Sequence, residues 1–272
     1  MHSVPTFLVA VDFSEGSNKA VEYAVCLART MLGRVELVHI ADADEIAESH
    51  NQMVVLRSIN RALDKARARL QSYQEMISQK WQVTTGQSVD IGKVHDRLPA
   101  VIAKANPDVV FLGKNHSNSR RLRSLLKRIE SPVVVVPAEV VIRSPRAVVL
   151  AADLGPLDRE LIKPLLNLSG KDSHVLRLLH VARYNGRNGV NLEKESANFS
   201  QKLKVNTELI YRKDYSTISG VRHFLVSGNT DLMCTVRRRR NFLKELFSAG
   251  TSIQLALHAP IPTLILTERV PN

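Results

Sequence analysis

Two groups of basic side chains and a pair of aspartates are the residues in this chain whose types and spacing could do chemistry. Arg237, Arg238, Arg239 and Arg240 form an unbroken run directly after a short apolar stretch, Asp231–Val236. Lys114, Arg120, Arg121, Arg123, Lys127 and Arg128 form a second group with no acidic residue among them. Guanidinium forks grip phosphate and carboxylate oxygens two at a time. Arg237–Arg240, with Arg120 and Arg121, are therefore candidate anion-binding residues; the bland alternative is a solvated charged face. Asp12 and Asp153 each close an apolar run, and Ser14 follows the first of them. A strand-end Asp can cap the next turn or helix, and can face a ligand at the same time. His39 and His180 lie inside apolar runs, where a satisfied core histidine is the default. Cys26 and Cys234 read as buried free thiols in a reducing compartment, with no CxxC and no metal-ligand spacing. No Ser–His–Asp set and no paired carboxylates beside a glycine-rich loop are visible. The chemistry on offer is binding, and the protein is expected not to be an enzyme.

The elements that must position these residues follow from apolar periodicity. Phe7–Asp12 is a continuous apolar run ending in a carboxylate, hence a buried strand. Ser14 is a helix N-cap with Glu15 in the first turn, and Gly33 ends that helix. Arg34–Ile40 is a second strand, Gln52–Lys80 a long helix and Val83–Val89 a strand near a sheet edge. Leu98–Ala105 is a short helix, Asp108–Gly113 a buried strand, Ser119–Glu130 a basic helix and Pro132–Val136 a fifth strand. The order then recurs from Arg146–Asp153 to Pro262–Leu266, with Pro164 expected to kink or shorten the helix Leu157–Leu168. Phe242, Leu243, Leu246, Ile253, Leu255 and Leu257 give the last helix its apolar face. Asp12 and Asp153 are 141 residues apart, as are His39 and His180, which argues for duplication. The expected architecture is α/β, two tandem doubly wound parallel five-stranded sheets, with domains at 1–140 and 145–272. In such sheets ligands bind outside the carboxyl ends of the strands. The arginine run leaves one of those ends.

Charge narrows the class of partner. The chain has 272 residues and a net charge of +12, and residues 143–272 carry 20 basic against 11 acidic side chains. A basic surplus favours anionic partners without setting specificity. Hydrophobic content of 44% excludes a disordered chain. The most apolar segment, Pro132–Ile142, is too short to span a bilayer and contains Glu139. Met1–Thr6 lacks a charged signal-peptide start, so a cytoplasmic location is expected.

Taken together, the motifs resemble a tandem universal stress protein. VAVDFS (Val9–Ser14) resembles the family's opening strand, and LVHI (Leu37–Ile40) and LLHV (Leu178–Val181) its second. SPVVVV (Ser131–Val136) and HAPIPTLIL (His258–Leu266) resemble its closing strand. The resemblance covers nearly the whole chain and implies that the two closing strands pair across a pseudo-twofold axis. It also implies that Asp12, Ser14, Ile40 and Gly113, with Asp153 and Val181 in the second half, stand where ATP-binding relatives contact nucleotide. Those relatives carry G-x2-G-x9-G-[ST] after the fourth strand, because glycines let backbone N–H groups approach the phosphates at a helix N-terminus. Both halves depart from that pattern. Gly113 is followed by Lys114-Asn115-His116 with no second glycine, and the distance to Pro132 is shorter than the family's. In the second half Val236 and Arg239 stand at the first two glycines, with Ala249-Gly250-Thr251 near the last.

The resulting expectation is a stress-response binding and regulatory protein without tight ATP binding, acting on protein partners the sequence does not name. One alternative is an ATP or AMP sensor with a single pocket in the first half, around Asp12, Ile40 and Gly113. The other is a nonspecific binder of nucleic acid or another polyanion through the basic clusters, against which aromatics at only 5% offer no stacking platform. A homodimer beyond the intrachain pseudo-dimer is compatible with each.

Overall fold

The structure is a computed structural model; it describes residues 4–42, 52–115, 117–151, 157–169, 175–183, 192–238 and 249–268. The chain divides into two compact units, Met1–Ser131 and Pro132–Asn272. In the first, β1 (Thr6–Ala10), α1 (Glu15–Met31), β2 (Arg34–Ala41), α2 (Gln52–Trp81), β3 (Thr85–Ile91), α3 (Val94–Ala105), β4 (Val109–Lys114) and α4 (Ser119–Arg128) follow in order. Its strands are parallel and ordered β3-β2-β1-β4. The order reverses beside β1, so the carboxyl ends of β1 and β4 flank the switch point where open α/β sheets hold ligands. Phe7, Leu8, Val9, Val110 and Phe111 are wholly or almost wholly buried, as continuous apolar strands covered on both faces must be.

The second unit holds β5 (Val133–Pro137), β6 (Val148–Ala151), α5 (Arg159–Leu168), β7 (Leu176–Arg183), α6 (Leu192–Leu203), β8 (Thr207–Asp214), α7 (Thr217–Ser227), β9 (Leu232–Arg237), α8 (Ala249–His258) and β10 (Thr263–Thr267). Strand order is β5-β10-β9-β6-β7-β8, parallel except at β5. β5, the closing strand of the first repeat, runs antiparallel to β10, the closing strand of the second, with Val134 opposite Leu264. That is the pairing the resemblance implied. It also explains why compactness divides the chain before β5, whereas the repeat in the sequence ends after it.

Several local expectations need correction. Gly33 does not supply the left-handed residue that ends α1; Leu32 does, at φ 53°, with its side chain in solvent. The glycine serves packing instead: a Cβ on Gly33 would lie 2.9 Å from the Pro5 carbonyl oxygen. α3 starts at Val94, earlier than the expected Leu98, and runs through Pro99 to a left-handed Asn106. α5 runs through Pro164 to Leu168, and its start is set by Asp158, whose carboxylate accepts the Leu161 amide at 2.7 Å. Of the last helix only Ala249–His258 is described; the expected apolar residues Phe242, Leu243 and Leu246 lie outside the described residues. Cys234 is buried, and burial pushes its thiol pKa well up, but Cys26 is only half-buried.

One duplicated feature was not apparent from the sequence. Asp108, just before β4, accepts the Thr6 amide at 2.8 Å. Asp231, just before β9, accepts the Arg146 and Ala147 amides at 2.8 and 2.9 Å. In each unit a carboxylate thus pins the start of the first strand of that repeat to the start of its fourth.

Candidate functional site

The site starts where β1 ends. Asp12 Oδ1 accepts the Ser14 amide at 3.0 Å and the Ser14 hydroxyl, and Ser14 Oγ accepts the Ser17 amide at 3.3 Å. Asp12 therefore braces the residue that caps α1, the capping role open to a strand-end Asp. Between them Phe13 is held at φ 61°, an uncommon conformation for a bulky side chain. Its ring lies 4.7 Å from that of His39, and the Arg69 guanidinium sits 4.0 Å above its centroid. Tyr73 closes the same cluster and donates its hydroxyl to Asn18. Burial raises the Tyr73 pKa, Arg69 pulls against that and Asp12 adds to it.

From β2, His39 donates Nδ1–H to the Val11 carbonyl at 2.7 Å, so its tautomer is fixed by a backbone acceptor. It is a satisfied histidine, as expected, and it also lines a cavity. From β4, Gly113 packs directly on the first turn of α1: a Cβ there would lie 2.2 Å from Gly16 C and 2.3 Å from Ser17 N. The absence of a side chain at Gly113 is thus required by the fold itself.

The segment after β4 has its own closure. Asn118 donates Nδ2–H to the Gly113 carbonyl at 3.1 Å, and its Oδ1 accepts the Asn115 amide at 3.0 Å. One side chain therefore ties the residue before α4 to the carbonyl and the amide on either side of Lys114, and α4 begins one residue later. Lys114 is half-buried here, and burial lowers its pKa.

These elements surround a cavity of about 290 Å³ in the first unit. Asp12, Ile40 and Gly113 line it, and so does Arg121 from the first turn of α4. Sequence reasoning missed Ser17, Val94, Leu98 and Asn118, which also line it. Val94 was hidden by the late start assigned to α3, Leu98 stood at that start without being marked as a wall, and no sequence signal marks Asn118 as a clamp. Ser14 braces the site without lining it, and Arg120 is exposed beside it on α4.

Of the second-half candidates, the structure describes Val181, Arg237 and Arg238. Val181 is wholly buried in an apolar cluster with Val149, Leu179 and Val221, and Gly220 abuts its side chain. Asp153, Arg239 and Arg240 lie outside the described residues. Arg237 is not in a solvent-exposed loop; it is the last residue of β9, opposite Thr267, only 7% exposed, and burial lowers its pKa. Arg238 is half-exposed beyond the strand.

The universal stress protein family model matches residues 4–137, from just before β1 through β5. The chain belongs to the universal stress protein family. Its second half repeats the same strand order, which makes it a universal stress protein of tandem type. A universal stress protein from Archaeoglobus fulgidus superposes with a TM-score of 0.75 at 14% identity, covering 96% of this chain and 98% of that one. A functionally unknown protein from Pseudomonas aeruginosa gives 0.61 at 11% identity, covering 97% and 93%. At such identities the likeness speaks for the fold. No curated protein sequence matches the chain. Family membership makes it a stress-response protein. Among the described residues, no helix is long and apolar enough to cross a membrane and no cluster of His, Cys, Asp or Glu could hold a metal ion.

Proposed function

We propose that this universal stress protein is a cytoplasmic regulatory binding protein rather than an enzyme, and that it does not hold ATP tightly. The observation carrying this reading is the Asn118 clamp. It takes the Asn115 amide at 3.0 Å and the Gly113 carbonyl at 3.1 Å, in the segment where a glycine loop would present free amides to phosphates. With the clamp closed, the Asn115 amide is not free to meet a phosphate. Asp12 and His39 are engaged in bracing the fold, which favours recognition over turnover.

A second reading has its own support. The first-unit cavity lies at the switch point of the sheet, at the small end of the range for ligand sites, with apolar walls from Val11, Ile40 and Leu122 and a few polar groups at its rim. Those walls suit a nucleoside-sized group, in the manner of an AMP or adenosine sensor. The two readings meet in one measurement: the rise in melting temperature with adenosine, AMP and ATP at equal concentration. A ligand that binds only the folded chain stabilises it by RT ln(1 + [L]/Kd). Adenosine and AMP are expected to stabilise at least as much as ATP. A much larger shift with ATP would mean that the loop does bind the outer phosphates, and would overturn the main reading.

A further inference from the structure

The outward face of α4 takes no part in the cavity. Leu122, Leu125 and Leu126 turn inward and are buried, while on the opposite side Arg120 and Lys127 are exposed and Arg123 is half-exposed. Spacing of three and then four residues sets these cations in a row, about one helical turn apart. Among the described residues, no ion pair or hydrogen bond engages any of the three. Two nearby acids on β3 and α3 are already occupied. Asp96 is held by Arg128 at 2.7 Å and by His95 at 3.3 Å, and Asp90 by Arg97 at 2.6 Å. The row is therefore a line of positive charge without an ion-pair partner among the described residues, the exposed Glu130 lying beyond the end of the helix.

We propose that this row binds the backbone phosphates of a nucleic-acid duplex without reading its sequence. A regularly spaced cationic line matches a regularly spaced anionic one, and neutralised phosphates supply most of the free energy of nonspecific binding. Other anionic surfaces fit less well. The apolar stripe of α4 is used up in the core, so the helix has no face to insert into lipid. Neither α3 nor α4 contains Phe, Tyr or Trp, so single-stranded bases find nothing to stack on. The chain's +12 charge speeds encounter with any polyanion, and the row gives the encounter a place to settle.

The test is fluorescence anisotropy of a short blunt DNA duplex with the full chain across a salt series. Binding should weaken linearly in log–log form as salt rises. The triple variant Arg120→Ser, Arg123→Ser, Lys127→Ser should flatten that slope by about 0.9 for each phosphate it no longer neutralises, equally on unrelated sequences. Arg121 stays in place because it lines the cavity. A charge-matched variant on α2, Arg57→Ser, Arg61→Ser, Lys65→Ser, should leave the slope as in the unaltered chain. Should the α4 triple fail to fold, Arg120→Ser and Lys127→Ser singly give the same reading. No duplex binding at low salt, equal slopes in both triple variants, or binding to phosphatidylserine vesicles in place of the duplex would each overturn the proposal.

Discussion

Gly113→Ala is expected to lower the stability of the first unit by about 1–3 kcal/mol, toward the upper end of that range. The added Cβ would fall 2.2 Å from Gly16 C, 2.3 Å from Gly16 O and 2.3 Å from Ser17 N. All three are backbone atoms in the first turn of α1, so no rotamer change relieves the clash; the helix must move away from β4. That movement would also strain the Asp12–Ser14 brace and the cavity wall it supports. Thermal unfolding reads the effect directly, since each kcal/mol shifts the midpoint of a domain between 100 and 150 residues by about 4 °C. An unchanged midpoint would mean that α1 and β4 are not packed as closely as described. Because this glycine stands at the first position of the family's phosphate motif, any loss of ligand binding in the variant reports on the fold before it reports on phosphate recognition.

Asp231→Ala should cost a comparable amount in the second unit, about 1–3 kcal/mol at neutral pH. The side chain accepts the Arg146 and Ala147 amides and pairs with the Arg143 guanidinium, so truncation leaves two strand-start amides without their acceptor. Burial pushes the Asp231 pKa up, but the two amides and Arg143 outweigh it, and the carboxyl stays below the ordinary carboxylate range. A carboxylate with a depressed folded-state pKa contributes stability that is complete above its unfolded pKa. That stability is lost as the pH falls through the folded value. The deficit of Asp231→Ala relative to the unaltered chain should therefore be largest at neutral pH and shrink on acidification. Chemical denaturation at neutral and acid pH checks this; a deficit that grows in acid would contradict the charge assignment.

What could be read in advance differs by kind of feature. Strands such as Phe7–Asp12 and Asp231–Val236 announce themselves because a strand covered on both faces needs an unbroken apolar run. The repeat followed from residues at equal spacing, and with it the doubly wound parallel sheet of each half; the pairing of β5 with β10 followed from the family resemblance alone. Nothing in composition says which neighbour a residue will press against. Gly33 reads as a helix stop, yet the approach of the Pro5 carbonyl decides its identity, and an exposed Leu32 takes the left-handed turn instead. Four consecutive arginines read as a solvent loop, but Arg237 belongs to β9 because its backbone stays in register with Thr267. Asn118 sits in a polar stretch where any of several side chains could have bridged the turn; only the fold selects the one that does. The cavity was legible as a place, around Asp12, Ile40 and Gly113. Its helical wall and its clamp were not.

The most direct test of the claim that the altered phosphate loop abolishes tight ATP binding is calorimetric titration of the purified chain with ATP, using AMP as control, at low and high salt. Weak ATP binding, no stronger than that of AMP and abolished as salt rises, is the predicted result. Saturable, nearly salt-independent ATP binding close to one per chain would contradict it and require the Asn118-clamped turn to open around the phosphates.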